Sequence, residues 1–137
     1  MSNNTFSHNI KVRGFHLDMY GHVNNARYLE MMEEARWAYF EERMDFGILE
    51  KNMWGFVIVN YNINYRYPAK LSDVIEVGVE ISRVGGKSMT IHQRLTLAGT
   101  DKVVVEADVT AVIMDLRTQR AVHLDKEVLG LMGYEAD

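Results

Sequence analysis

The reading of the chain turns on residues 24–39, Asn24-Asn25-Ala26-Arg27-Tyr28-Leu29-Glu30-Met31-Met32-Glu33-Glu34-Ala35-Arg36-Trp37-Ala38-Tyr39, and on the change of period beyond Gly55. At 100° per residue Tyr28, Met31, Met32, Ala35, Ala38 and Tyr39 fall in one wide stripe while Glu30, Glu33, Glu34 and Glu41 lie off it, which predicts an amphipathic helix of about five turns. Leu29, Trp37 and Phe40 fall outside the stripe, so the helix is expected to be covered on more than one side. Asn24 or Asn25 can cap its first orphan amides, and Asp45-Phe46-Gly47 supplies a stop.

After Gly55 the apolar residues recur every second position. Val57, Val59, Tyr61, Ile63, Tyr65 and Tyr67 take one face and Asn60, Asn62, Asn64 and Arg66 the other, with Pro68 ending the strand. Three more half-buried sets come next: Ile75 to Ile81, then Met89, Ile91, Leu95 and Leu97, then Val103 to Ile113. Gly85-Gly86 and Gly99-Thr100-Asp101 between them are short enough to make antiparallel hairpins. Toward the start of the chain, His8–Phe15 reads as a short strand leading into a polar loop, Asp18-Met19-Tyr20-Gly21-His22; toward its end, Asp125 caps a short closing helix that ends near Gly133. Strand, long helix, then four long strands is an α+β layout, with the helix covering the apolar face of the sheet.

Composition bounds the rest. A chain of 137 residues, 47% apolar and 25% charged, is one globular domain spanning 1–137, with no linker or repeat. The net charge of −4 gives nothing that draws nucleic acid or an anionic membrane, so a polyanionic ligand must meet a local basic patch. The absence of cysteine excludes disulfides, thiolate nucleophiles and Cys-ligated metal. The polar start without a basic segment, and apolar runs too short to span a bilayer, place the protein in the cytoplasm with no membrane insertion.

The densest polar cluster lies where the first strand meets the helix: His16, Asp18, His22, Asn24, Asn25 and Arg27. A helix N-terminus presents free amide donors and the positive end of its dipole, which suits a developing oxyanion. Asp18 is the carboxylate there, and on pattern alone it reads first as a turn residue.

The string Phe15-His-Leu-Asp18-Met-Tyr-Gly21-His22-Val23-Asn24-Asn25-Ala-Arg-Tyr28-Leu, with Glu33-Glu34-Ala35-Arg36 beyond it, resembles the signature of hotdog-fold acyl-thioesterases of the 4-hydroxybenzoyl-CoA thioesterase type. Ile63-Asn-Tyr-Arg66-Tyr-Pro68-Ala69 and Gly86-Lys87-Ser88 extend the similarity over nearly the whole chain, and the His-Val-Asn-Asn form is most similar to bacterial long-chain acyl-CoA thioesterases. The resemblance implies a hotdog fold, a long central helix wrapped by a curled antiparallel sheet. It also implies hydrolysis of medium- to long-chain acyl-CoA to free acid and CoA, with Asp18 as nucleophile or general base. The family's oxyanion donor, a first-turn backbone amide, falls on Asn25, and His22 and Asn24 stand beside it to hold a water or orient Asp18. An oligomer whose sheets join edge to edge, dimer or tetramer, is implied as well.

The chemistry suits this assignment. A thioester has a good leaving group, so a positioned carboxylate worth about 10²- to 10⁴-fold and an oxyanion donor worth about 10²- to 10³-fold suffice without metal or cofactor. Ser72, Ser82 and Ser88 have no nucleophile-elbow setting. For the acyl channel the expected lining is Tyr28, Met31, Met32, Ala35 and Tyr39 on the helix with Val57, Val59 and Tyr61 opposite; for any one of them taken singly, core is the first reading. Arg66 and Lys87, with Lys70, Arg83 and Arg94, are the cations available to the coenzyme A phosphates.

Other classes remain open at this level. His16, Asp18 and His22 have metal-ligand chemistry, but the thioester reading accounts for them without metal. An acyl-carrier-protein thioesterase would show the same motif, a dehydratase would process 3-hydroxyacyl chains without releasing thiol, and a non-catalytic sensor would bind acyl thioesters without turnover.

Overall fold

The computed structural model describes residues 5–134. Its order is strand β1 (Thr5–Lys11), a 3-10 turn (Gly14–His16), helix α1 (Asn25–Arg43), helix α2 (Gly47–Asn52), strands β2 (Trp54–Tyr65), β3 (Val74–Val84), β4 (Met89–Leu97), β5 (Val103–Asp115) and β6 (Arg120–Ala121), and helix α3 (Lys126–Leu131). The sheet is antiparallel in the order β1-β3-β4-β5-β2, with the two-residue β6 paired to β5. Strands β3, β4 and β5 are joined by the expected hairpins, and α3 starts on the expected cap, where the Asp125 carboxylate accepts from the Val128 amide at 2.9 Å.

Alternation decides which face of the sheet is covered. Ile75, Val77, Val79 and Ile81 of β3, Met89, Ile91 and Leu95 of β4, and Val105, Ala107, Val109, Ala111 and Ile113 of β5 are all buried. They receive Tyr28, Met31, Met32, Ala35 and Tyr39 of α1. A fully buried side chain of this size contributes about 1.5–3 kcal/mol, so this seam is the main source of stability.

Strand β2 departs from the sequence reading. Its register against β5 shifts between Ile58 and Asn60: Phe56 faces Ile113 and Ile58 faces Ala111, but then Tyr61 faces Val109 and Ile63 faces Ala107. Val59 is the extra residue of a β-bulge. One inserted residue switches the inward set from even to odd numbers, so Phe56 and Ile58 point inward with Tyr61 and Ile63. Val57 and Val59 instead face out, Val59 being 56% exposed. An uninterrupted count of two therefore places these two valines on the wrong face. Helix α2 has no separate signature in the sequence; it begins where the Asp45 carboxylate accepts from the Gly47 amide at 2.9 Å.

Candidate active site

The loop between the 3-10 turn and α1 is built by backbone pairing at both ends. Leu17 bridges to Val23 and His22 to Lys70, the Val23 amide donates to Ala69 O at 2.9 Å, and the Asn24 amide donates to His16 O at 2.9 Å. Inside that frame Gly21, at φ +77°, lets the chain reverse. Asp18 organises the turn: its amide donates to His22 O at 2.8 Å, and its Oδ1 accepts from the amides of Tyr20 at 2.8 Å and His22 at 3.2 Å. Oδ2 makes no hydrogen bond among the described residues, so the half-buried carboxylate has one oxygen engaged in structure and one available. The capping and catalytic readings of this residue are compatible because they use different oxygens.

The first turn of α1 shows a matching asymmetry. Asn24 is the cap, its Oδ1 accepting from the Ala26 amide at 2.9 Å, and the Arg27 amide donates to Asn24 O at 2.8 Å. The Asn25 amide has no acceptor among the described residues, and Asn25 O accepts from the Tyr65 hydroxyl at 3.4 Å. A free N–H at a helix N-terminus is the donor an oxyanion needs. His22 is exposed and enters the loop through its backbone.

Tyr28 anchors this region from below. It is 2% exposed, and its hydroxyl accepts from the Ala69 amide at 3.2 Å. Burial raises its phenol above the usual range against the opposing Ala69 bond, and Asp73, Tyr65 and Asp18 add to the rise. His16 is shifted the other way, lowered chiefly by burial and then by Arg27 and Arg13, against Glu30. Its Nδ1 accepts from the Arg13 amide at 2.8 Å, a bond that requires an unprotonated Nδ1.

Of the expected acyl-channel residues, Met31, Met32, Ala35 and Tyr39 are buried in the core, packed against side chains of β3 to β5. Val57 and Val59 point away because the bulge turns them to the outer face. Tyr61 does face inward, its hydroxyl accepting from Arg36 at 2.8 Å.

The open apolar space lies one stripe further round the helix. A cleft of about 280 Å³ is lined by Glu33, Arg36, Trp37, Phe40 and Met44 of α1 and its C-cap, Phe46 and Leu49 beyond it, and Phe56 and Ile58 of β2. The sequence signal for it is the pair Trp37 and Phe40 outside the main stripe. Sequence reasoning misses the pairing of Arg36 with Gln93, although Gln93 occupies an inward position of β4 between Ile91 and Leu95 and is fully buried. Gln93 accepts from Arg36 at 2.9 Å and donates to Met32 O at 3.1 Å, tying helix to sheet.

Of the expected carrier cations, Lys70 meets the 18–22 loop through its backbone bridge to His22, whereas Arg66 and Lys87 make no hydrogen bond or ion pair with that loop among the described residues. Arg66 pairs with Glu106 at 3.3 Å, and Lys87 is exposed on the β3–β4 hairpin. Among the described residues no group of His, Asp and Glu has the arrangement of a metal site, and no helix is long and apolar enough to cross a membrane.

Comparison with known proteins agrees with this architecture. Residues 13–131 match the family model of the Thioesterase-like superfamily. The long-chain acyl-CoA thioesterase FadM of Escherichia coli is 48% identical over 119 residues, 87% of this chain and 90% of the relative. The acyl-CoA thioesterase YbgC of Haemophilus influenzae is 33% identical over 131 residues, 93% and 94% of the two chains. The crystal structure of YbaW, a probable thioesterase from Escherichia coli, superposes with a TM-score of 0.87 at 44% identity, covering 94% of this chain and 98% of the other. With a long helix laid against a curled antiparallel sheet and a family match over most of its length, the chain belongs to the Thioesterase-like superfamily of hotdog proteins.

Proposed function

We propose that the chain is an acyl-CoA thioesterase that converts a long-chain acyl-CoA and water to the free acid and CoA. The observation that carries this reading is that, among the described residues, Asp18 keeps one carboxylate oxygen without a partner and Asn25, at the start of α1 seven residues on, keeps its amide without an acceptor. A thioester carbonyl set between them has its oxygen against the Asn25 N–H and the positive end of α1, where negative charge develops. Asp18 Oδ2 supplies the electron pair, by direct attack or by taking a proton from a water that attacks. Either route expels the CoA thiolate, which leaves as the thiol once protonated; after direct attack the acyl group is left on Asp18 as a mixed anhydride, and water then hydrolyses it to the free acid and restores the carboxylate. His22 and Asn24 flank the site; Asn24 holds the first turn in place through its cap.

The acyl tail is assigned to the cleft of Trp37, Phe40, Met44, Phe46, Leu49, Phe56 and Ile58. A helix rises about 1.5 Å per residue, so Trp37 stands roughly 18 Å along α1 from Asn25. The printed name of the FadM relative supports a long-chain substrate.

Strand β2 is an outer strand of the sheet, and its free edge supports a homodimer joined edge to edge, or a tetramer of such dimers. In that assembly Arg66 and Lys87 serve the phosphates of a carrier arm bound at the neighbouring protomer's site. The reaction is placed in the cytoplasm, where acyl-CoA is formed and consumed.

The test is release of free thiol from purified protein across acyl lengths, on coenzyme A and acyl-carrier-protein thioesters. Thiol release that rises toward long acyl-CoA is expected. Binding without release, or loss of 3-hydroxyacyl-CoA without thiol, overturns the reading.

A further inference from the structure

Arg36 is a cation where the fold offers no anion. It is 4% exposed, yet no Asp or Glu lies within ion-pair distance of it among the described residues. Two of its N–H groups go to neutral acceptors, Gln93 Oε1 and the Tyr61 hydroxyl, and its guanidinium carbon stands 5.6 Å from the Tyr61 ring centroid. A guanidinium has five N–H donors, so three are left over. Burying an uncompensated charge is costly, and proteins ordinarily neutralise it with a paired group.

The same side chain lines the apolar cleft, together with Trp37, Phe40, Phe46, Leu49, Phe56 and Ile58. Two demands therefore meet in one space: an apolar body to cover aromatic and aliphatic walls, and a planar anion to complete a fork of N–H donors. Glu33 at the wall is exposed and makes no ion pair with Arg36 among the described residues, so no ion pair among them supplies a counter-charge from the helix itself.

We infer that this cleft is a binding site for a free long-chain fatty acid, its carboxylate on Arg36 and its hydrocarbon chain against Trp37, Phe40 and Phe56. A carboxylate matches the guanidinium fork in shape and charge. Binding of the acid does not depend on whether the chain hydrolyses thioesters; only the consequence that the acid competes with a substrate's acyl tail for this space rests on the proposed function.

The experiment monitors Trp37 fluorescence in a Trp54→Phe protein, where it is the remaining tryptophan, without acyl-CoA present. Dodecanoate and dodecanol, alike in chain and different in head group, are titrated at pH 8 below their aggregation limits. A saturable change with dodecanoate binding at least about tenfold tighter than dodecanol is expected, the effect of one charge-assisted pair. Arg36→Gln should bring the two ligands to parity and Arg36→Lys should restore part of the difference. Equal affinity for acid and alcohol, or no saturable change with dodecanoate, overturns the inference, and the head-group comparison decides it even if the Arg36 variants fail to fold. Thiol release, measured separately, reports on the thioesterase reading alone.

Discussion

Replacing Asp18 by Asn separates chemistry from scaffold because the two carboxylate oxygens do different things. Oδ1 holds the amides of Tyr20 and His22 at 2.8 and 3.2 Å, and an asparagine retains that oxygen. Only Oδ2, the oxygen without a partner among the described residues, is exchanged for a non-basic NH₂. Stability should therefore stay within about 0.5 kcal/mol of the parent, as for a substitution that breaks no structural bond. Removing a positioned base costs about 10²- to 10⁴-fold in rate, which is about 2.7–5.5 kcal/mol of transition-state stabilisation. Asp18→Ala is the counterpart: it forfeits the same chemistry and also both amide bonds, for a further loss of about 1–2 kcal/mol of stability. The assay is initial-rate thiol release from a long-chain acyl-CoA, paired with urea unfolding of all three proteins. Activity of Asp18→Asn within about threefold of the parent would refute the reasoning. So would an activity loss confined to Asp18→Ala that tracks its loss of stability.

Other expectations bear on different parts of the molecule. Ile58→Phe narrows the cleft from the β2 side and should move the preferred substrate toward shorter chains; each methylene excluded forfeits up to about 0.8 kcal/mol, about fourfold in kcat/KM, read from thiol release across a chain-length series. His16 should titrate below 6.5 by NMR, because burial and the charges of Arg27 and Arg13 favour its neutral form in the fold. Since its folded value lies below the unfolded one, its contribution to stability is complete above pH 6.5 and is lost as pH falls through the folded value; His16→Gln should flatten that acid limb in unfolding experiments. Gly133→Ala should destabilise by about 1–3 kcal/mol, since Gly133 has φ +75° and an added Cβ would sit 2.5 Å from Arg43 O, whereas Gly14→Ala, with nothing within 4 Å, should cost far less in the same urea titration.

The residues legible in the sequence are those whose role is local. The Asn24 cap, the stripe from Tyr28 to Tyr39, the hairpin glycines and the Asp125 cap act within a few residues of their own position, so pattern and spacing suffice to find them. The places of Asp18 and Asn25 in the chain are local in the same sense: one is a turn residue and the other the first residue of the helix, seven positions on. The β2 face is not legible, because Val59 is a valine that suits either side of a sheet and only its pairing with β5 makes it the extra residue. The cleft is legible only in part: Trp37 and Phe40 stand outside the main stripe, but its other wall, Phe56 and Ile58, follows from the face that the bulge gives to β2.

By itself, then, the amino-acid sequence determined the α+β layout, the placing of a carboxylate before the long helix, and the family resemblance, all of which rest on short-range periodicity and turn chemistry. Tertiary structure alone decided that Met31, Met32, Ala35 and Tyr39 are buried core, that Val57 and Val59 face outward, and that Arg36 meets Gln93 and Tyr61 beside an apolar cleft. The physical reason is that register and cavity are properties of contacts between distant segments: a single inserted residue inverts a strand's faces, and the space between packed elements is set by the side chains of both.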